Sequence, residues 1–474
     1  VEPWDLWGPY LSERQWGVVR EDYSPDGSAW DYFPFEHAHQ RTYRWGEDGI
    51  AGISDKFQRL CLSVAFWNYK DPILKERLFG LTNHQGNHGE DVKEVYYYLD
   101  NTPTHSYMKM LYRYPQNLFP YKALVQENER RGVKDQEFEL VDTGIFDQGD
   151  YFDIQVSYVK NTATDILMEV RVSNLSATEA KLAVIPTAWF RNTWVWEGVG
   201  EVESSEKPRI ALGDAKERRL EAWHKSLGTY NVYFENEGIP AFCENETNYQ
   251  NVFGIESSSR YFKDGISEFV VEGKAEAINP ENNGTKVGII HHLTVPAKGE
   301  RIVRLRLSTM THSDPFGEDW IQAYKARELE SKEFWEVKLG GDALEPESFA
   351  TAKYALSGLL WSKQFYFYDV RDWIQGDPNQ PEPSPKRKLG RNSLWKHFHA
   401  KDILVMPDKW EYPWFAAWDT AFQMAAIAKV DCEFAKRQLM LLTREWYMHP
   451  KGQLPAYEWS FDHSNPPVHA WSAL

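Results

Sequence analysis

Between about residue 138 and residue 310 apolar side chains recur at every second position, and near Ser308 that period stops. Ile154, Val156 and Tyr158 alternate with Asp153, Gln155 and Ser157. After the turn Asn161-Thr162-Ala163-Thr164-Asp165, the residues Ile166, Met168, Val170 and Val172 alternate with Glu169 and Arg171. A period of two buries one face of each strand, so this pair reads as a hairpin. A second hairpin is predicted where Val287-Gly288-Ile289-Ile290 passes through Pro296-Ala297-Lys298-Gly299 into Ile302–Leu307. Many short strands at this spacing predict a large antiparallel β-sandwich.

Beyond Ser308 the pattern is helical. Glu318–Val337 is charged and rich in helix formers, with Trp320, Ile321, Tyr324 and Leu329 to pack, and reads as a connecting helix. Gly340-Gly341-Asp342 breaks it, and residues 346–368 resume as an apolar-rich helix. Gly376–Pro385 is a proline-rich loop, and Lys386-Arg387-Lys388 reads as a solvated turn. Thr420–Lys429 is hydrophobic nearly all round, Cys432–Tyr447 is amphipathic, and Asn465-Pro466-Pro467 opens a further helix. The expected organisation is multidomain. A β-sandwich domain covers 1–310, with irregular aromatic-rich loops over 1–135; a linker helix covers 311–345; helices fill 346–474.

Charge and cysteines narrow the partners. A formal net charge of −17 argues against nucleic acid or an anionic membrane, both of which reward a basic surface. No apolar run approaches the roughly 20 residues of a membrane span, and Val1-Glu2-Pro3-Trp4 does not begin a signal peptide. Cys61, Cys243 and Cys432 are odd in number and far apart, which favours a reducing compartment and a cytoplasmic location. His84, His88, Glu90 and Asp91 share a loop without a recognised ligand spacing, so neither metal nor cofactor is expected. Asn174-Leu175-Ser176, Asn245-Glu246-Thr247 and Asn283-Gly284-Thr285 fit the glycosylation sequon, a tripeptide common by chance.

Chemistry concentrates in Met406–Phe422, where three tryptophans, a tyrosine and two phenylalanines surround carboxylates. From Phe415 to Ala428, Asp419 is the only ionisable residue. Desolvation raises a carboxylate pKa, and an acid still protonated near neutral pH can give a proton to a leaving oxygen. Flanking tryptophans offer flat faces of the kind that stack on sugar rings. The structural alternative is that Asp419-Thr420 caps the following helix and the tryptophans are core.

These motifs resemble glycoside hydrolase family 63. The resemblance rests on Pro413-Trp414-Phe415-Ala416-Ala417-Trp418-Asp419 within Met406–Phe422, and on Trp7–Gly17, Arg44–Gly49, Asn83–Lys93 and Tyr98–Lys109. It implies an inverting α-glucosidase-type hydrolase whose sandwich and linker helix precede an (α/α)6 toroid, with Asp419 as general acid. Residues 346–474 have room for only about four or five helices of average length, so the toroid here is incomplete and the chain reads as a fragment. The general base, a glutamate near the end of the toroid, is expected beyond Leu474, and Glu458 does not take its place. Trp414, Phe415 and Trp418 would wall the sugar pocket, and Tyr412, Trp395 and Trp459 are further candidates for substrate contact. Gln453 and Glu458 are candidates for hydroxyl contacts. Arg44, Glu47 and Asp48 either close the pocket or hold domains together. The implied partner is an oligosaccharide or small glucoside. Two other classes share these features: a sandwich-plus-toroid glycoside phosphorylase, and a non-catalytic carbohydrate-binding protein.

Overall fold

The computed structural model describes residues 2–14, 19–24, 32–81, 91–132, 134–196, 206–213, 216, 218–235, 237–257, 260–377, 382–405, 409, 416–457 and 465–474. Among them, two antiparallel sheets dominate. One has six strands, in the order Trp7–Gly8, Ile53–Asp55, Leu60–Trp67, Ala180–Phe190, Lys286–Val295, Ile239–Cys243. The other has nine, from Asn283–Gly284 at one edge through Gly228–Phe234, Glu300–Ser308, Asp165–Asn174 and Tyr151–Thr162 to Val95–Asn101 at the other. Phe66, Val184 and Ile289 of the first sheet share one core with Met110, Ile154, Val170 and Leu305 of the second. The architecture is therefore a β-sandwich, and apolar burial between its inner faces drives it.

The first predicted hairpin is present, with Val156 opposite Val170 across Tyr151–Thr162 and Asp165–Asn174. The second is not a hairpin. Lys286–Val295 pairs with Ala180–Phe190 and Ile239–Cys243, whereas Glu300–Ser308 pairs with Asp165–Asn174 and Gly228–Phe234 in the opposite sheet. Pro296–Gly299 thus carries the chain across the sandwich. Period-two alternation is the same for both outcomes, because either way each strand turns its apolar face to the same core. The first 135 residues are also less irregular than expected. Leu60–Trp67, Val95–Asn101 and Tyr107–Pro115 are strands of the two sheets.

Two of the three sequon asparagines are structural. Asn174 and Asn245 are fully buried, and Asn174 Nδ2 donates to the carbonyls of Thr178, Val295 and Pro296 at 2.8, 3.0 and 3.1 Å.

Helix α1 (Glu318–Leu339) lies on the nine-stranded sheet, where Trp320 and Ala323 pack on Tyr107, Val159 and Leu167. Gly340, at φ 83°, ends it in the left-handed conformation glycine favours. Asp100 then ties sheet to helices, accepting from Ser331 Oγ (2.8 Å), Trp335 Nε1 (2.9 Å) and Lys353 Nζ (2.6 Å).

Helix α2 (Pro346–Trp361) stops short of the predicted residue 368. Lys363–Asp369 is instead a strand paired with His399–Val405. Its Gln364-Phe365-Tyr366-Phe367-Tyr368 run suits a pleated, half-buried surface better than a helix, once a partner strand is supplied. Helices α3 (Ala417–Ile427), α4 (Cys432–Leu441) and α5 (Val468–Ala473) follow. Helix α4 is shorter than predicted: the chain turns after Leu442 and buries Tyr447, whose hydroxyl donates to Asp402 at 3.0 Å. Arg387 is not a solvated turn residue. It is buried with its guanidinium 4.2 Å from the Tyr23 ring and 4.0 Å from the Trp373 ring, while Lys386 and Lys388 stay exposed. Among the described residues no helix is long and apolar enough to cross a membrane.

Candidate active site

Helix α3 buries Ala417, Thr420, Ala421, Met424 and Ile427, an i, i+3, i+4, i+7 stripe. Met424 and Ile427 pack on Val405 of the strand His399–Val405 and on Phe434 and Ala435 of α4. Ala417 enters a larger aromatic core with Tyr23, Trp45, Tyr368, Trp373 and Phe398. The start of the helix is fixed from outside as well. Ala416 is bridged to Tyr457, and the Ala417 N–H donates to the Ala456 carbonyl at 3.1 Å. The loop from His449 to Tyr457 therefore lies against the N-terminal end of α3.

Asp419 is the third residue of this helix, off the buried stripe and half-buried. The N-cap is Ala416, which makes no side-chain cap, so Asp419 is not the capping residue. Burial pushes its carboxyl above the usual aspartate range, and its own backbone N–H pulls weakly the other way. No described cation pairs with it. The two residues expected to line it with Trp418 in the motif, Trp414 and Phe415, lie outside the described residues, as do Tyr412, Glu458 and Trp459.

The described residues do place an aromatic edge beside the acid. The Trp418 and Phe422 rings meet edge to face at 6.3 Å, and Trp471 of α5 comes within 5.7 Å of Phe422. Phe422 is 47% and Trp471 56% exposed. Trp471 was not legible as a neighbour, since only the packing of α5 on α3 brings it there. The 418/422 spacing, one helical turn, was the available signal. Trp395 falls elsewhere, fully buried and stacked on Phe398 at 3.9 Å inside the aromatic core, whereas Gln453 is exposed on the loop that lies against α3.

The N-terminal arm serves as a clamp. Arg44 binds Asp372 at 3.0 Å and also pairs with Asp377, joining the arm to the helical part. Glu47 accepts from Asn245 Nδ2 (2.9 Å), and Asp48 accepts from Arg77 Nε (2.9 Å) and the Tyr43 hydroxyl (3.0 Å). Of the two readings for this trio, holding parts together is the one its contacts make. Lys409, the one described residue of Met406–Phe415, is buried and donates to the Trp361 carbonyl at 2.7 Å. Its charge sits 3.7 Å from Glu13, which anchors the aromatic stretch to the arm. Glu21, in the same arm, is pushed by burial to about 7 although the Trp45 and Arg44 N–H groups donate to it at 2.8 and 3.3 Å. Among the described residues no group of three His, Cys, Asp or Glu side chains is arranged to hold a metal ion; His84, His88 and Glu90 lie outside them.

No family model matches the chain. It is similar to uncharacterized protein YMR196W of Saccharomyces cerevisiae, 44% identical over 512 aligned residues that cover 99% of this chain and 47% of that protein. The chain thus spans about half the length of the curated relative it matches.

Proposed function

We propose that this chain carries the acid side of an inverting glycoside hydrolase of α-glucosidase type, with Asp419 as general acid. The setting of Asp419 carries the reading: a half-buried carboxyl, raised by desolvation, without a described cation, beside an exposed aromatic edge. A carboxyl so placed holds its proton closer to neutrality and can deliver it to the glycosidic oxygen as the bond to the anomeric carbon breaks. The positive end of α3 opposes part of that shift, so the balance is set by desolvation. Trp418 and its neighbours offer apolar faces to the sugar ring.

Inversion needs a second carboxylate to activate water on the opposite face of the sugar, roughly 6.5–9.5 Å from the first. This reading assigns no such base within residues 1–474. It takes α2 through α5 as the opening helices of an (α/α)6 toroid, seated on the sandwich by Asp100 and on the arm by Arg44. The substrate class is an oligosaccharide or small glucoside.

The test uses a protein of the relative's length. Hydrolysis of an α-glucoside that first releases the β-anomer, and is abolished by Asp419→Asn in a folded variant, supports the reading. Strict dependence on phosphate with release of a sugar phosphate, or full activity in Asp419→Asn, overturns it.

A further inference from the structure

One end of the sandwich carries a groove of about 350 Å³ that no described residue of the proposed catalytic region lines. Its walls come from both sheets: the turn after Leu60–Trp67 and the start of Ala180–Phe190 on one side, the ends of Tyr107–Pro115 and Tyr151–Thr162 on the other. Loops gathered at a sandwich end are where that scaffold presents ligand contacts. The volume lies at the small end of the ~300–1,000 Å³ range of ligand sites.

The polar groups in it are held rigidly and only half used. Asn68 is locked, its Nδ2 donating to the Pro115 and Asn117 carbonyls at 3.0 Å each and its Oδ1 accepting from the Lys70 and Asp71 N–H groups. Gln116 spends its Nε2 on the Tyr151 carbonyl (3.2 Å) and Asn174 Oδ1 (2.7 Å), leaving Oε1 as an acceptor. Asp150 takes the Ser176 hydroxyl on Oδ1 (2.6 Å), leaving Oδ2. Asn117 uses Oδ1 for Lys70 (3.0 Å), leaving its NH2 as a donor beside the exposed Lys181. Fixed donors and acceptors side by side match hydroxyls, which both give and take hydrogen bonds.

Charge selects among ligands. Lys70 and Lys181 balance Asp150 and Glu179, so the groove has no net field to favour an anion or a cation. The aromatic wall is Tyr69, with φ at 63°, a backbone conformation costly for a bulky residue and one that clusters at ligand clamps. Its ring is pinned 4.5 Å from Trp67, and its hydroxyl meets His292 Nδ1.

We propose that this groove is a non-catalytic binding site for a neutral oligosaccharide. It stands independently of the role given to Asp419. Isothermal titration of the chain with maltoheptaose, in an Asp419→Asn background so that no sugar is consumed, is the test. Asn117→Ala and Lys181→Ala, both at exposed positions, should each weaken binding at least threefold while their thermal unfolding matches the parent. Inorganic phosphate should show no saturable heat. Absence of saturable maltoheptaose binding overturns the proposal, as do parental affinities in both variants, or phosphate binding that Lys181→Ala abolishes. Each of these outcomes leaves the hydrolysis test with Asp419→Asn unaffected.

Discussion

Glu76 in the sandwich and Asp419 at the head of α3 are both carboxyls withdrawn from water, and their pKa values are displaced in opposite directions. For Glu76 burial pushes the pKa up, but Lys286 at 2.7 Å and Arg77 at 3.5 Å outweigh it and hold the carboxyl down to about 2. For Asp419 burial meets no described cation, and the carboxyl stays raised. Desolvation pushes both carboxyls up, while the neighbouring charge decides the direction of the net shift. The sandwich spends its buried acids on holding itself and the arm together. Among the described residues of the helical region, Asp419 is left half-buried with no cation beside it.

The sharpest way to separate the two carboxyls is to neutralise each. Asp419→Asn in the longer protein is expected to cut turnover by roughly 10²–10⁴-fold, the usual contribution of a general acid, with circular dichroism unchanged. A loss under tenfold would remove the contrast. Lys286→Met should cost about 3–5 kcal/mol in urea unfolding, because it strands a buried carboxylate. A cost below about 1 kcal/mol would show that Arg77 alone satisfies Glu76.

The pH dependence carries the sign of the same difference. Glu76 has a folded pKa of about 2 against an ordinary 4.5, so its contribution is fully present above pH 4.5 and is lost as pH falls towards 2. Its size is on the order of 3 kcal/mol. Chemical denaturation between pH 6 and pH 2 should therefore be flatter for Glu76→Gln than for the parent. Asp419 has the opposite sign. Its raised folded pKa gives stability below the ordinary 3.8 that is lost as pH rises through the folded value. Asp419→Asn should then melt slightly higher than the parent at pH 7, with the gap closing below pH 4, the smallest effect of the four. A variant that melts lower at pH 7 would place the carboxylate in a stabilising contact.

Much of the fold was legible. Ile154, Val156 and Val170 announced their strands by period, and Glu318–Val337 announced α1 by composition and its glycine stop. Reading failed where partners decide. The Pro296–Gly299 turn has the same pattern in a hairpin and in a crossing between sheets. Residues 363–369 became a strand only because His399–Val405 lies alongside. For the site, Asp419 was visible as a lone acid among apolar residues. Its freedom from capping was not, since the helix start is set by Ala416 bridging to Tyr457.

The sequence by itself determined where the last strand of the sandwich stops, where the helix over 318–337 runs and which residue is the isolated acid, because periodicity and local composition are written in neighbouring residues. Only the tertiary structure decided which strands pair across the core, that Arg387 is buried between Tyr23 and Trp373, and that Trp471 reaches the edge beside Asp419. Those outcomes rest on contacts between residues far apart in the chain, and the state of each buried charge depends on which opposite charge the fold brings within a few ångströms.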